Sequence, residues 1–200
     1  MNSTLEYYAD NAQDFFDNTY NKEMTEIYQK VLPLIPLHGS ILDAGCGSGR
    51  DSYYFLSNGY KVNAFDASKE MAALATSYIK QEVRCLTFDE IKDIEVYDGI
   101  WAAASLLHLP YSKLSATFTQ LTKALKDNGV FYASFKYGEQ EYNKAGRHFT
   151  PLNEEKAQLL FEQLNTLQLI DVWLSDDVRQ ERKGEKWLNL LAKKVVNDNS

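Results

Sequence analysis

The chain has 200 residues, 44% of them apolar, and a formal net charge of −7 at pH 7. That length and composition suit one domain with a real core, and an acidic chain with no Lys/Arg cluster argues against a nucleic-acid substrate, which needs clustered cations to neutralise phosphate. Residues 1–6 lack the basic and apolar regions of a leader, and the most apolar stretch, 100–109, is too short to cross a bilayer, so a soluble cytoplasmic protein without membrane partners, monomer or homodimer, is expected. Two cysteines, Cys46 and Cys85, make no disulfide framework, and His38, His108 and His148 are scattered without metal-ligand spacing, so no metal is expected.

In chain order, residues 7–16 are aromatic-rich and read as a short helix. Met24, Ile27, Tyr28 and Val31 recur at helical spacing, and Pro33 and Pro36 end that second helix. From residue 40 strands and helices alternate, with strands near 40–44, 60–65, 82–86, 98–103 and 129–135, the pattern of a parallel α/β sheet. The helix after the first strand ends at Gly59, a natural C′ residue. Met71, Ala75, Tyr78 and Ile79 form one apolar helical face. Leu114, Phe118, Leu121 and Leu125 form another, closing at Asn128-Gly129. Asn153 caps a helix with Glu154 and Glu155 in its first turn, as the helix dipole favours, and Ala157, Leu160, Phe161 and Leu164 on its inner face. Segments 169–175 and 187–193 read as strands. The charged stretch 176–186 between them has no apolar helical face and makes a poor parallel crossover, so they are expected to pair antiparallel. Only the tail 197–200 reads as low in structure.

The run Ile41-Leu42-Asp43-Ala44-Gly45-Cys46-Gly47-Ser48-Gly49-Arg50 passes from strand to tight turn to helix N-terminus. Such a turn presents unpaired backbone amides to a ligand at close range. A P-loop requires Lys and Ser or Thr after its last glycine, whereas Arg50 and Asp51 follow Gly49. The dinucleotide fingerprint requires a third glycine where Arg50 stands, and Asp43 would oppose a pyrophosphate. A zwitterion suits the turn better, its carboxylate on the amides and its ammonium on the acid. Asp66, at the end of the next strand, is placed to accept both hydroxyls of a ribose.

Leu42-Asp43-Ala44-Gly45-Cys46-Gly47-Ser48-Gly49-Arg50 together with Asp66 resembles the class I S-adenosylmethionine-dependent methyltransferases, over essentially the whole chain. The resemblance implies a three-layer Rossmann-like α/β fold, its mostly parallel sheet ordered 3-2-1-4-5-7-6 with the last strand antiparallel, and S-adenosyl-L-methionine as cofactor. It implies one domain over 1–200, with a helical lid at 1–37 on an α/β core at 38–196. The cofactor-binding positions it implies are Asp43, Gly45, Cys46, Gly47, Gly49, Arg50, Asp66, Ala67, Met71, Phe88 and Ala103, with Tyr8 from the Tyr-x-x-x-Ala pattern of the lid and Tyr20 as a further lid aromatic. Relatives often carry an acid where Phe88 stands; here Phe88 is expected to pack on the adenine face, or simply in the core. Asp89, one place late, is the other candidate acid, or a cap.

Residues 97–104 resemble the motif beneath the methionine part of the cofactor, where small alanines leave room beside the sulfonium. The Asn/Asp-Pro-Pro-Tyr of enzymes that methylate planar amides or bases is absent. Ser105-Leu106-Leu107-His108-Leu109 is expected to open a helix. His108, Tyr137 and His148 are the candidate bases should the acceptor need deprotonation. Arg147 and Lys136 are the candidate substrate-binding cations, Arg147 being a planar two-pronged donor suited to a carboxylate or oxyanion and otherwise an ion-pair partner for Glu139 or Glu141. Gly47-Ser48-Gly49-Arg50-Asp51, Ser134-Phe135-Lys136-Tyr137-Gly138 and Gly146-Arg147-His148-Phe149-Thr150 resemble the small bacterial tellurite-resistance-like methyltransferases. That implies a small-molecule acceptor: a thiol, a chalcogen oxyanion or a small carboxylate. The competing readings are an NAD(P)-dependent oxidoreductase and a non-catalytic S-adenosylmethionine-binding regulator.

Overall fold

A computed structural model describes residues 2–179, 182 and 184–195. The chain begins with helices α1 (Asn2–Asp10), α2 (Ala12–Thr19) and α3 (Thr25–Val31). The expected first helix is therefore two, broken at Asn11, whose φ of −118° and ψ of 20° leave the helical region. A 3₁₀ turn over Leu32–Leu34 carries Pro33 near its start and ends α3 as the prolines require. There follow β1 (Ser40–Ala44), α4 (Arg50–Ser57), β2 (Lys61–Asp66), α5 (Lys69–Ile79), β3 (Val83–Cys85) and β4 (Tyr97–Ala102). A 3₁₀ turn, Leu106–His108, stands where a longer helix was expected. Then come α6 (Tyr111–Thr122), β5 (Leu125–Lys136), β6 (Tyr142–Lys144), β7 (Arg147–Phe149), α7 (Glu154–Phe161), β8 (Leu167–Asp176) and β9 (Lys186–Lys194).

Seven strands form one sheet in the order β3-β2-β1-β4-β5-β9-β8. With β6 and β7 set apart as a separate two-stranded sheet, this is the expected mostly parallel order. Strand β9 runs antiparallel to both neighbours, β5 and β8. Its reversal follows from the short link after β8, whose sequence offers no apolar helical face to make a crossover. Alternate residues feed opposite faces. Leu42, Ile100 and Phe131 join α6 and α7 in the larger core cluster, while Ile41, Trp101 and Tyr132 pack with α3 and Phe55 of α4. Helix α5 covers Ala64 and Val83 on the latter face.

Two further expectations are corrected. Helix α6 stops at Thr122, and Leu125, expected on its apolar face, is the first residue of β5, buried all the same. Residues 142–149, outside every strand expected from the sequence, form the β6–β7 hairpin around Ala145 and Gly146, with φ of 49° and 76°. An alanine at φ > 0 gives no turn signal of the Asn-Gly kind. The tail at 197–200 lies outside the described residues. Among the described residues no helix is long and apolar enough to cross a membrane.

Candidate functional site

The carboxyl ends of β1, β2, β4 and β5 share one edge of the sheet, where ligands collect in open α/β folds. At the end of β1 the glycine turn adopts the predicted geometry: Gly45, Gly47 and Gly49 have φ of 77°, 55° and 76°. The amides of Gly45 and Cys46 both donate to the Phe65 carbonyl, tying the turn to β2. A Cβ on Gly45 would lie 2.6 Å from Ser105 Cβ, so the turn admits no side chain there. Asp66 stands beside the turn, accepting at Oδ2 from the Gly47 amide (2.9 Å) and at Oδ1 from the Ser68 amide (2.9 Å). Burial pushes its carboxyl up, against the pull of those amides. Each oxygen retains a lone pair for a further donor.

Asp43, expected to face a ligand's ammonium, does not reach the cavity. It is 2% exposed beneath the turn and accepts from Ser52 Oγ at 2.7 Å. Burial, and then the neighbouring Asp51 carboxylate, push it up to about 8. The acid near the turn that does reach the cavity wall beside Asp66 is Asp51, on the first turn of α4. It takes Arg50 in a two-pronged pair (2.7 and 2.9 Å), Trp101 Nε1 (2.8 Å) and the Tyr28 hydroxyl. These partners hold it below the usual carboxylate range despite burial. Sequence reasoning used Asp51 to dismiss a P-loop and within a family resemblance but not as a site residue, although an acid beside Arg50 at a helix start was the available signal.

Around this edge opens a cavity of about 1240 Å³. That exceeds the roughly 300–1,000 Å³ usual for a single small-molecule site, so the space suits two ligands side by side. One end is lined by Gly45, Cys46, Gly47, Ala67, Met71 and Phe88. Phe88 lines the cavity and also meets Phe65 edge-to-face at 5.6 Å, on the border of the core. Asp89 lies in the 3₁₀ turn after β3, which a Thr87–Glu90 capping box begins. Ala103 and Arg50 line the cavity as expected. Gly49 does not: a Cβ there would meet Ile79 and Ala75 of α5 at 3.0 and 3.2 Å, so this glycine lets two helices approach.

The other end is built from distant segments. Tyr8 of α1 is 2.9 Å from His108 Nε2, and His108 Nδ1 is 2.7 Å from the His148 carbonyl. A carbonyl can only accept, so Nδ1 carries the ring proton and the Tyr8 hydroxyl donates to a bare Nε2. Burial above all holds His108 down at about 4. Arg147 stacks on Tyr7 (3.9 Å to the ring centroid), with Phe149 at 5.3 Å, and its buried Nε has no hydrogen-bond partner. Neither expected carboxylate pairs with it; Glu141 turns instead to Thr150 Oγ1 (2.9 Å) and His148. Lys136 also lines the cavity, but it is committed to Asp177 (3.0 Å) and Glu185 and stacks over Trp187.

Two candidate bases fall outside the main cavity. Tyr137 is 44% exposed, its hydroxyl on Glu154 at 3.1 Å, because the alternation that turns Lys136 inward turns its neighbour out. The His148 ring faces Thr150 Oγ1 (3.0 Å), and only its backbone serves the site. Tyr20 stacks on Phe16 at 5.1 Å and packs near Tyr78, outside the cavity lining.

Residues 41–129 match the family described as "Methyltransferase domain". The 2-heptyl-1-hydroxyquinolin-4(1H)-one methyltransferase of Mycobacteroides abscessus is 32% identical over 109 residues, covering 46% of this chain and 48% of that protein. The chain spans about half the length of the curated relatives it matches. Among solved structures, Burkholderia thailandensis 1,6-didemethyltoxoflavin-N1-methyltransferase, with bound 1,6-didemethyltoxoflavin and S-adenosylhomocysteine, superposes with TM-score 0.66 at 24% identity over 96% of this chain and 90% of that one. Magnesium protoporphyrin IX methyltransferase from Synechocystis PCC 6803, with bound SAM, gives TM-score 0.69 at 17% identity over 94% of each chain. The chain thus shares the Rossmann-like α/β fold of these methyltransferases, and its residues 41–129 match the methyltransferase-domain family.

Proposed function

We propose that the protein is an S-adenosylmethionine-dependent methyltransferase acting on a small molecule. The observation that carries this is the glycine turn and Asp66 side by side on a cavity large enough for cofactor and acceptor together. S-adenosylmethionine supplies a sulfonium-activated methyl group, so the hard chemistry is the cofactor's. The protein has to bind, align and exclude water. Asp66 accepts the ribose hydroxyls on its free lone pairs. Gly47 leaves the turn open to the ligand, and Phe88 covers the adenine face. Arg50 offers its guanidinium to the carboxylate, oriented by Asp51. Asp43 supports the turn from below through Ser52. Residues 1–37 close the cavity as a lid on the core of a single domain, bringing Tyr8 and Phe15 over the site.

The acceptor is a small molecule and not a nucleic acid, in keeping with the acidic chain. The Mycobacteroides relative is named for a hydroxyquinolinone and the Burkholderia structure holds a didemethyltoxoflavin, which supports an acceptor of that size. The tellurite-resistance-like resemblance adds thiols and chalcogen oxyanions to the acceptors worth trying. Titration calorimetry tests the reading. Wild type binds S-adenosylhomocysteine at micromolar concentration and does not bind NADH. Asp66→Ala loses roughly tenfold or more, since hydrogen bonds to charged groups contribute about 1.5–3 kcal/mol each. Unchanged affinity in that variant refutes the ribose role, and NADH binding in its place refutes the methyltransferase reading.

A further inference from the structure

Tyr8, His108 and Arg147 gather on the cavity wall built by α1, the 3₁₀ turn after β4 and the β6–β7 hairpin, with Asp66 close enough to act on Tyr8, and holding the cofactor leaves two of them, His108 and Arg147, without a task. Resting on the methyltransferase reading above, we propose that Tyr8 and His108 form a proton relay for a protic acceptor, and that Arg147 holds an anionic group on that same acceptor. The expected substrate class is a hydroxy- or amino-substituted aromatic acid or a similar anion, not a thiolate or chalcogen anion that arrives already deprotonated.

The direction of the hydrogen bonds carries the relay. The His148 carbonyl fixes the proton on His108 Nδ1, and Tyr8 spends its own proton on Nε2. The Tyr8 oxygen therefore keeps its lone pairs for donors: the Arg147 side chain takes one, and the other is left for a donor in the cavity that Tyr8 lines. When the acceptor's electron pair bonds the methyl carbon, the carbon–sulfur bond breaks and its pair stays on sulfur. The acceptor's proton passes to the Tyr8 oxygen, the Tyr8 proton passes to His108 Nε2, and the imidazolium later loses a proton to solvent. An O–H or N–H becomes strongly acidic as its heavy atom gains the methyl group, so a base of modest strength suffices late in the step.

Arg147 supplies the second half. A guanidinium walled by Tyr7, Tyr8 and Phe149, with a buried Nε unpartnered, is a donor set awaiting an oxyanion. It also lines a smaller adjoining cavity of about 310 Å³, together with Lys144 and Lys186. Both the relay and the anchor depend on the lid, since Tyr7 and Tyr8 belong to α1, and Thr4 of the same helix accepts the His148 amide at 3.1 Å. The anchor also tunes the relay. After burial, the Arg147 charge is a coulombic cause holding His108 low; an anion docked on Arg147 cancels that charge and strengthens the base only when substrate is present. The other titratable or charged groups facing the pair are Tyr7 on α1, Asp66 on β2 and His148 on β7.

Two measurements test this. First, imidazole ¹⁵N spectra of the protein without cofactor should show His108 protonated at Nδ1, with its pKa rising by a unit or more when 4-hydroxybenzoate binds. Arg147→Gln should abolish that rise. The opposite tautomer, or a rise that survives in Arg147→Gln, overturns the proposal. Second, S-adenosylhomocysteine release is followed from pH 6 to 10 with hydroxy- and amino-benzoates and with 4-mercaptobenzoate. In Tyr8→Phe and in His108→Gln the protic rate should fall roughly a hundredfold more than the thiol rate, recovering as pH approaches the acceptor's own pKa. Equal losses for both acceptors, turnover confined to the thiol, or no turnover of any protic probe overturns the relay. Failure of wild type to bind S-adenosylhomocysteine overturns instead the reading beneath it.

Discussion

The two ends of the cavity are built on different principles. The Asp66 end is backbone: a turn of glycines at positive φ, with amides that organise one carboxylate. The Arg147 end is side chains brought from α1, the 3₁₀ turn after β4, and the β6–β7 hairpin, tied by Tyr8–His108 and Lys136–Asp177. The first end recognises what every molecule of one cofactor shares. The second can be rebuilt by changing a few residues on short elements, so the same sheet serves many acceptors.

The sharpest way to separate the ends is Asp177→Asn. Its carboxylate takes Lys136 (3.0 Å), Arg179 (2.7 Å) and Trp187 Nε1 (3.1 Å). Losing one partner of a buried pair costs about 3–5 kcal/mol, to be read by chemical denaturation, and S-adenosylhomocysteine affinity of the remaining folded protein should stay within threefold. A parallel loss of affinity would show that the ends are one unit. The converse is Gly45→Ala, which forces a Cβ against Ser105 at positive φ and costs about 1–3 kcal/mol in strain. Here affinity should collapse while the Tyr8–His108 bond, followed by imidazole ¹⁵N spectra, persists.

A pH-dependent effect is expected from Asp43→Asn, and its sign follows from linkage. Burial raises the folded-state pKa of Asp43 above its unfolded value. The stability it contributes is thus full below the ordinary carboxylate range of about 4 and is lost as pH rises toward the folded value. Denaturation of wild type should lose stability relative to Asp43→Asn between about pH 4 and 8; a flat difference would mean the acid is ionised throughout. Smallest of all is Tyr137→Phe. The exposed hydroxyl touches only Glu154, so stability should stay within about 0.5 kcal/mol, and a larger loss of turnover would return Tyr137 to the candidate bases.

This asymmetry explains what was legible in the sequence. Strand positions, the glycine turn and the place of Asp66 at a strand tip could be read because periodicity and glycine spacing encode backbone geometry directly; the strand order came from the family resemblance. Asp43 misled because proximity in sequence to the turn says nothing about which side of it a side chain takes. Ser52 claims that carboxyl from below, while Asp51, eight residues on, comes to the wall. Tyr137 and His148 were reasonable by residue type, yet the alternation of β5 and β7 carries their side chains away. The Tyr8–His108 bond spans 100 positions and could not be read from either local stretch.

The two cysteines have a practical consequence. Cys46 lies within the glycine turn, where burial and the carboxylates around it push its thiol well above the ordinary value, so it resists alkylation at neutral pH. Cys85 is exposed at the tip of β3, one residue before Leu86 of the cavity wall. A maleimide fluorophore added to the unmutated chain should therefore label Cys85 selectively, giving a native optical reporter of ligand arrival at the nucleoside end.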